Sequence, residues 1–191
     1  MVGAARVGSL ATLAAACVAA MPAAAAYGAE PLLARVACRD GVPNGAYELR
    51  GQDGRLRAVG AFAQGHKTGT FIFWTANGAR SAVIPYERDS RTGTVALWYT
   101  AGGRETAKRL EAPFSDDVMN GVLRSFHPNG APRAEARFEH GALTAVEAWD
   151  VRGKPLPEAR ARQTTARDLV DNGRLIAGFE ALIRHNLPHC E

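Results

Sequence analysis

The sequence predicts a mainly β protein: a single elongated antiparallel meander of β-hairpins, with one C-terminal α-helix packed across the sheet. Three observations carry this. Glycines recur at a fixed period through the middle of the chain. Apolar residues take every second place inside each period. Beyond position 156 the apolar spacing changes to that of a helix.

The chain of 191 residues begins MVGAARVGSLATLAAACVAAMPAAAAYGAE. Arg6 is followed by an uncharged apolar stretch, and Ala24-Ala25-Ala26 offers a small-residue cleavage site, with Tyr27 as the expected new N-terminus. Residues 1–26 therefore read as a secretory signal and are set aside from the fold. Two other readings stand beside it. A retained anchor would have to span with a weakly apolar stretch interrupted by Pro22. Lipidation at Cys17 would use a sequence that resembles a bacterial lipobox, a motif that prefers leucine three places before the cysteine and a small residue after it. Here those places hold Ala14 and Val18. Export predicts a periplasmic or secreted protein. Removing Arg6 from the 23 basic residues leaves 22 against 19 acidic ones, a net charge of +3, too mild to point to nucleic acid.

Residues 27–40 form an N-terminal segment, and the repeats follow over 41–155. Asn44-Gly45, Thr68-Gly69, Thr92-Gly93 and Asn120-Gly121 open four copies, with Gly54, Gly78, Gly102 and Gly130 nine places further on. Tyr47, Phe71, Val95 and Leu123 stand two places after the lead glycine, and Leu49, Phe73, Leu97 and Ser125 four places after it. Residues two apart share one face of a strand. The turns then read QDG, ANG, AGG and PNG, chemistry that favours hairpins. Return strands carry small residues (Ala58, Gly60, Ala82, Ala134, Ala136) and end on Phe62, Tyr86, Leu110 and Phe138. Gly65, Asp89, Pro113 and Gly141, twenty places after each lead glycine, are turn formers. A partial fifth copy, TAVEAWDVRG, ends at Gly153.

A glycine, two alternating aromatic places, Asn-Gly, then a strand ending in an aromatic and a glycine resembles the MORN repeat, and more closely the bacterial variant of antitoxin-like repeat proteins. GVLRSFHPNGAPRAEARFEHG, at 121–141, is the best match. Copy three departs from the pattern, with four extra residues and Lys108 on the expected inner face. The resemblance implies protein–protein or envelope-surface contact without a catalytic site. An exported chain fits the antitoxin role poorly.

Residues 156–191 supply the helix and tail. A helix is expected over 157–185, or from Thr165, where Thr165 and Asp168 have capping-box spacing. Leu169, Ile176, Phe179, Leu182 and Ile183 form its apolar stripe, read as core packing rather than a membrane-surface face. A single sheet needs such a cover. A helix of this length measures about 42 Å, and about nine strands span about 38 Å. A helix running back across the sheet would bring Cys190 to Cys38, and a Cys38–Cys190 disulfide is the leading reading of these cysteines. Two separate thiols, or a metal group with His185 and His189, are the alternatives.

No catalytic constellation joins Ser125 or Asp150 to any of the five histidines, so no enzyme activity and no cofactor is expected. Three features could bind. The first is an aromatic ladder of Trp74, Trp98 and Phe126, with Arg50 at the same place in copy one, pointing away from the inner face. The second is the insertion EAPFSDDV at 111–118, with Phe114, Asp116 and Asp117. The third is an arginine edge beyond the turns: Arg55, Arg57, Arg80, Arg104 and Arg133. The expected function is an exported adaptor that binds an envelope protein. The alternative is a module holding anionic lipid or glycan through the arginine edge.

Overall fold

The structure is a computed structural model that describes residues 31–191; the leader readings at Ala26, Tyr27 and Cys17 lie outside the described residues. Positive-φ turn residues divide the chain into strands β1 (Leu33–Arg39), β2 (Val42–Arg50), β3 (Leu56–Ala63), β4 (His66–Trp74), β5 (Arg80–Glu87), β6 (Ser90–Arg91), β7 (Gly93–Ala101), β8 (Arg104–Ser115), β9 (Val118–Met119), β10 (Gly121–Phe126), β11 (Pro132–Glu139) and β12 (Ala142–Ala148), followed by helix α1 (Glu158–His185). All twelve strands belong to one antiparallel sheet. Its continuous path is β1-β2-β3-β4-β5-β7-β8-β10-β11-β12, with β6 on β5 and β9 on β8 as short extensions. The repeat expectation is met by the pairs β2/β3, β4/β5, β7/β8 and β10/β11, with β12 as the half copy. Strand β1 adds one more, formed by the segment the repeat pattern left unassigned.

The register turns the sequence alternation into a packed surface. One row runs across the whole path: Ala34, Leu49, Ala58, Phe73, Ala82, Leu97, Leu110, Ser125, Ala134, Ala148. Large side chains on the first strand of a hairpin lie mostly beside small ones on the second, so neighbours interdigitate. Gly60 shows how tight this is. A Cβ there would collide with the ring of Phe71, which also packs edge-on against Phe62 and Tyr86.

Each return strand carries a bulge just after its turn. Leu49 pairs with Ala58 but Arg50 with Leu56, making Arg57 the inserted residue. Ser81, Arg109 and Arg133 take the same place in the next three copies. In copy three this corrects the expected face of Lys108. The bulge sends Lys108 opposite Trp98, away from the core row, and leaves Arg109 beside the helix. Copy three also closes differently, with Gly102 (φ 58°) and Gly103 (φ 77°) as a two-residue turn between Ala101 and Arg104. Pro113 is not a turn residue: it pairs with Thr94 inside β8. The turn comes four places later, at Asp116 and Asp117, where the Asp117 N–H donates to Arg91 O as Gly65, Asp89 and Gly141 donate in the other copies.

Helix α1 has 28 residues and begins on Pro157 as N-cap, with the Ala161 N–H donating to Pro157 O at 3.0 Å. Thr165 and Asp168 are therefore buried mid-helix residues and not a cap. The lengths match: about 42 Å of helix crosses about 43 Å of sheet, one strand wider than expected. The helix walks back over the strands. Ala161 packs on Ala134 and Ala148. Asn172 meets Arg109 on β8. Phe179 stacks on Phe73 with ring centroids 4.8 Å apart. Ile183 joins the cluster that holds Phe62. The tail then delivers Cys190 to Cys38, and the two form a disulfide with a Cα–Cα distance of 5.7 Å. Bridged, Cys190 is no metal ligand, and the described residues contain no group of three metal-ligating side chains.

Tyr47 is buried beneath this cover, its hydroxyl has no partner among the described residues, and burial pushes its pKa up to about 12. Two substitutions test the packing with opposite signs. Gly60→Ala should lower stability by about 1–3 kcal/mol, because the methyl must displace the Phe71 ring. Tyr47→Phe should raise it by up to about 1 kcal/mol, because a buried unpartnered hydroxyl is removed. Urea denaturation of the oxidised chain measures both; an innocuous Ala at position 60 would mean that Phe71 does not lie over that backbone.

Candidate functional site

The two faces of the sheet differ in kind. On the face opposite α1 a second row can be followed through all ten strands of the path: Arg35, Glu48, Val59, Ile72, Val83, Ala96, Glu111, Arg124, Glu135, Glu147. Its centre is a run of four apolar residues, and its ends are charged. No described element packs over this row, and Val59, Ile72, Val83 and Ala96 are half-buried only by their neighbours. Trp74, Trp98 and Phe126 share this face and are also half-buried. Bulge geometry sets cations between them: Trp74 pairs with Arg80, and Trp98 with Lys108. The Arg80 guanidinium lies 4.0 Å from the Trp98 ring centroid while two of its nitrogens donate to Glu105 at 3.0 and 3.1 Å. Arg50, the copy-one equivalent, is exposed and pairs with Glu48.

Trp149 belongs with this ladder. It holds the same place in the partial copy that Phe126 holds in copy four, and both line a cleft of about 370 Å³ with Pro132 and Glu135. The sequence carries the signal, since Trp149 stands four places before Gly153 as Trp74 stands four before Gly78.

The arginines do not form one free edge. Arg57, in its bulge, is buried and faces Asp53 at 3.2 Å. Arg55 is exposed and lies 3.7 Å from the same carboxylate. Arg133 donates through Nε to both carboxylate oxygens of Asp168, at 2.9 and 3.1 Å. Arg80 stacks on Trp98, and Arg104 is exposed beyond the copy-three turn.

The insertion at 111–118 is strand and tight turn rather than loop. Phe114 packs against the core cluster and carries Arg91 over its ring at 4.8 Å. Asp116 and Asp117 hold the turn, at φ 49° and 63°. Partial burial opposes ionisation of Asp117, but hydrogen bonds from the Arg91 side chain and N–H outweigh it and hold the carboxyl below its ordinary pKa. Asp89 does the same for the Lys67 N–H and for His66 Nδ1, at 2.8 and 2.6 Å. Arg91 also faces Glu180 at 4.0 Å, and Glu180 accepts from the Tyr86 hydroxyl at 3.1 Å. Burial and that neighbouring carboxylate push the Tyr86 pKa well up. Lys67, Asp89, Arg91, Asp117 and Glu180 line a cavity of about 400 Å³ at the connector end of the strands.

A third constellation lies under the first half of α1. Ser125 occupies the core row where earlier copies place Leu49, Phe73 and Leu97, and it donates to Asp168 at 2.6 Å. Asp168 thus takes Ser125 on one strand and Arg133 on the next. Asn172, one turn on, accepts from Arg109 at 2.7 Å. Ser125, Asp168, Asn172 and Thr165 are all buried. His127 is buried nearby, but its Nε2 is committed to the Trp149 carbonyl at 3.0 Å, so no serine–histidine–acid chain forms. In the sequence Ser125 simply follows Leu49, Phe73 and Leu97 at its place in the copy, and Asp168 stands at capping-box spacing from Thr165. Only the crossing of the helix shows that each is the other's partner.

No protein-family model matches the sequence, and no curated protein is similar to it.

Removing one member of the buried polar group should be worse than removing all. Asp168→Ala leaves the Arg133 guanidinium without its carboxylate and Ser125 without its acceptor and should cost about 3 kcal/mol. The triple change Ser125→Ala, Asp168→Leu, Arg133→Leu should recover most of that loss. Thermal melts of the single and triple variants decide it; equal losses would show that the group acts through packing alone.

Proposed function

We propose that this chain is an exported, non-catalytic repeat protein whose uncovered sheet face binds another protein of the periplasm or cell envelope. The observation that carries this is the cross-strand run Val59, Ile72, Val83, Ala96 on the face opposite α1, bordered by Trp74 and Trp98. An apolar centre with aromatic anchors and a charged border is the composition that protein interfaces favour. The dimensions agree. About 43 Å across the sheet by about 20 Å along the strands gives roughly 860 Å², close to one side of a standard interface.

The compartment fits the same reading. A disulfide persists where the surroundings are oxidising, and the leader pattern of residues 1–26 supplies a route there. The MORN-like pattern points the same way, since stacked hairpins make an extended contact surface. An anionic-surface role has less support: Arg55, Arg57, Arg80 and Arg133 each have a carboxylate partner, which leaves Arg104 as the cation of that set with no carboxylate partner among the described residues.

The test is site-specific photo-crosslinking in the native envelope. A photoreactive phenylalanine analogue at Ile72 or Val83 should give one discrete adduct, and the same analogue at Arg160 on α1 should not. In that background Trp74→Ala should reduce the adduct with little change in melting temperature. Adducts of equal yield from both faces, or from neither, would remove the reading.

A further inference from the structure

Five arginines among the described residues are not exposed: Arg57, Arg80, Arg91, Arg109 and Arg133. Four of them face a carboxylate: Asp53, Glu105, Asp117 and Asp168 respectively. Arg109 does not. Its Nε donates to the neutral Asn172 Oδ1 at 2.7 Å, and its guanidinium lies 5.2 Å from the Tyr99 ring centroid. The contrast is sharpest against Arg57 and Arg133, which occupy the same bulge position in copies one and four and have aspartates. A cation withdrawn from water without an opposite charge is costly, and such sites are filled by counter-charge.

Arg109 lines a cavity of about 190 Å³ on the helix side of the sheet, together with Tyr99, Pro128, Arg133 and Asn172. At about 30 Å³ per water, that is room for about six non-hydrogen atoms. Arg133 spends only its Nε on Asp168, so its terminal nitrogens make no hydrogen bond among the described residues. Asp168 and Asp171 also line the space. Asp168 is held by Arg133 and Ser125, and Asp171 is exposed and faces Arg174 at 3.8 Å. With Asp168 committed to Arg133 and Asp171 facing Arg174, Arg109 is the one cation lining the space without a carboxylate among the described residues. A single charge suits a monoanion better than a dianion, and a short stem can lie on Tyr99 and Pro128. We propose that this cavity is a binding site for a short-chain monocarboxylic acid, with Arg109 as the carboxylate receptor and Arg133 in support. The site is on the other side of the sheet from the Val59–Ala96 row and does not depend on the adaptor reading.

The oxidised chain is titrated with sodium propionate, against sodium chloride at equal ionic strength, and followed by NMR at the Arg109 Nε–H and the Asn172 side-chain amide. Saturable shifts are expected, with a Kd in the range of about 1–10 mM, and inorganic phosphate should bind more weakly. Asn172→Asp supplies Arg109 with an internal carboxylate and should weaken propionate by at least about tenfold while the fold is retained. Arg109→Gln carries the same expected loss and stands alone if the aspartate variant does not fold. Shifts no larger than those from chloride, unchanged affinity in the folded variants, or a preference for phosphate would each overturn the assignment.

Discussion

A sheet one layer thick exposes two faces, and water contact along an apolar one is not compatible with a stable single domain. Covering the inner face with α1 is the constraint on which the rest of this structure depends. The repeats alone set the strands, the turns and the alternation of large and small side chains. They do not close anything. The 28 residues of α1 do so in one pass because its length matches the width of the sheet. That match ties repeat number to helix length: another hairpin would leave about 10 Å of inner face beyond the reach of the helix.

The cover is made by two different chemistries. Over the first two copies the contacts are apolar and aromatic, with Phe179 on Phe73 and Ile183 in the cluster of Phe62. Over the last two copies much of the contact is polar, through Asp168 and Asn172. Apolar contacts on a repetitive surface are tolerant of sliding, since one hairpin resembles the next. A serine that meets an aspartate, and an arginine that meets the same aspartate, permit one register. The disulfide at the far end then holds the helix over a loop of 152 residues, which in the chain-entropy treatment contributes about 5 kcal/mol.

Much of this was legible in the sequence. The hairpin period, the turn chemistry, the helix and the pairing of Cys38 with Cys190 follow from spacing and from comparing two lengths. What escaped has a physical reason in each instance. Strand β1 lacks the glycine landmarks, and it forms because β2 presents an edge to pair with. Lys108 changes face because a bulge inserts Arg109 and reverses the face of what precedes it. Asp168 looked like a cap because three-residue spacing to Thr165 is shared by caps and by helix interiors. The uncovered face was legible as a ladder of aromatics, but its apolar centre was not, since Val59, Ile72, Val83 and Ala96 become neighbours only through register. The arginine edge was drawn from alignment of copies, which says nothing about the carboxylates that the fold brings to it.

The most direct test of this account is the placement of α1. In NMR spectra of the oxidised chain, Ala161 should show nuclear Overhauser contacts to Ala148 at one end of the sheet, and the Phe179 ring should show them to Phe73 toward the other. Both sets together mean that one helix spans the repeats. Contacts at a single end, or helix amides that exchange as in an isolated peptide, would mean that the inner face is closed in some other way.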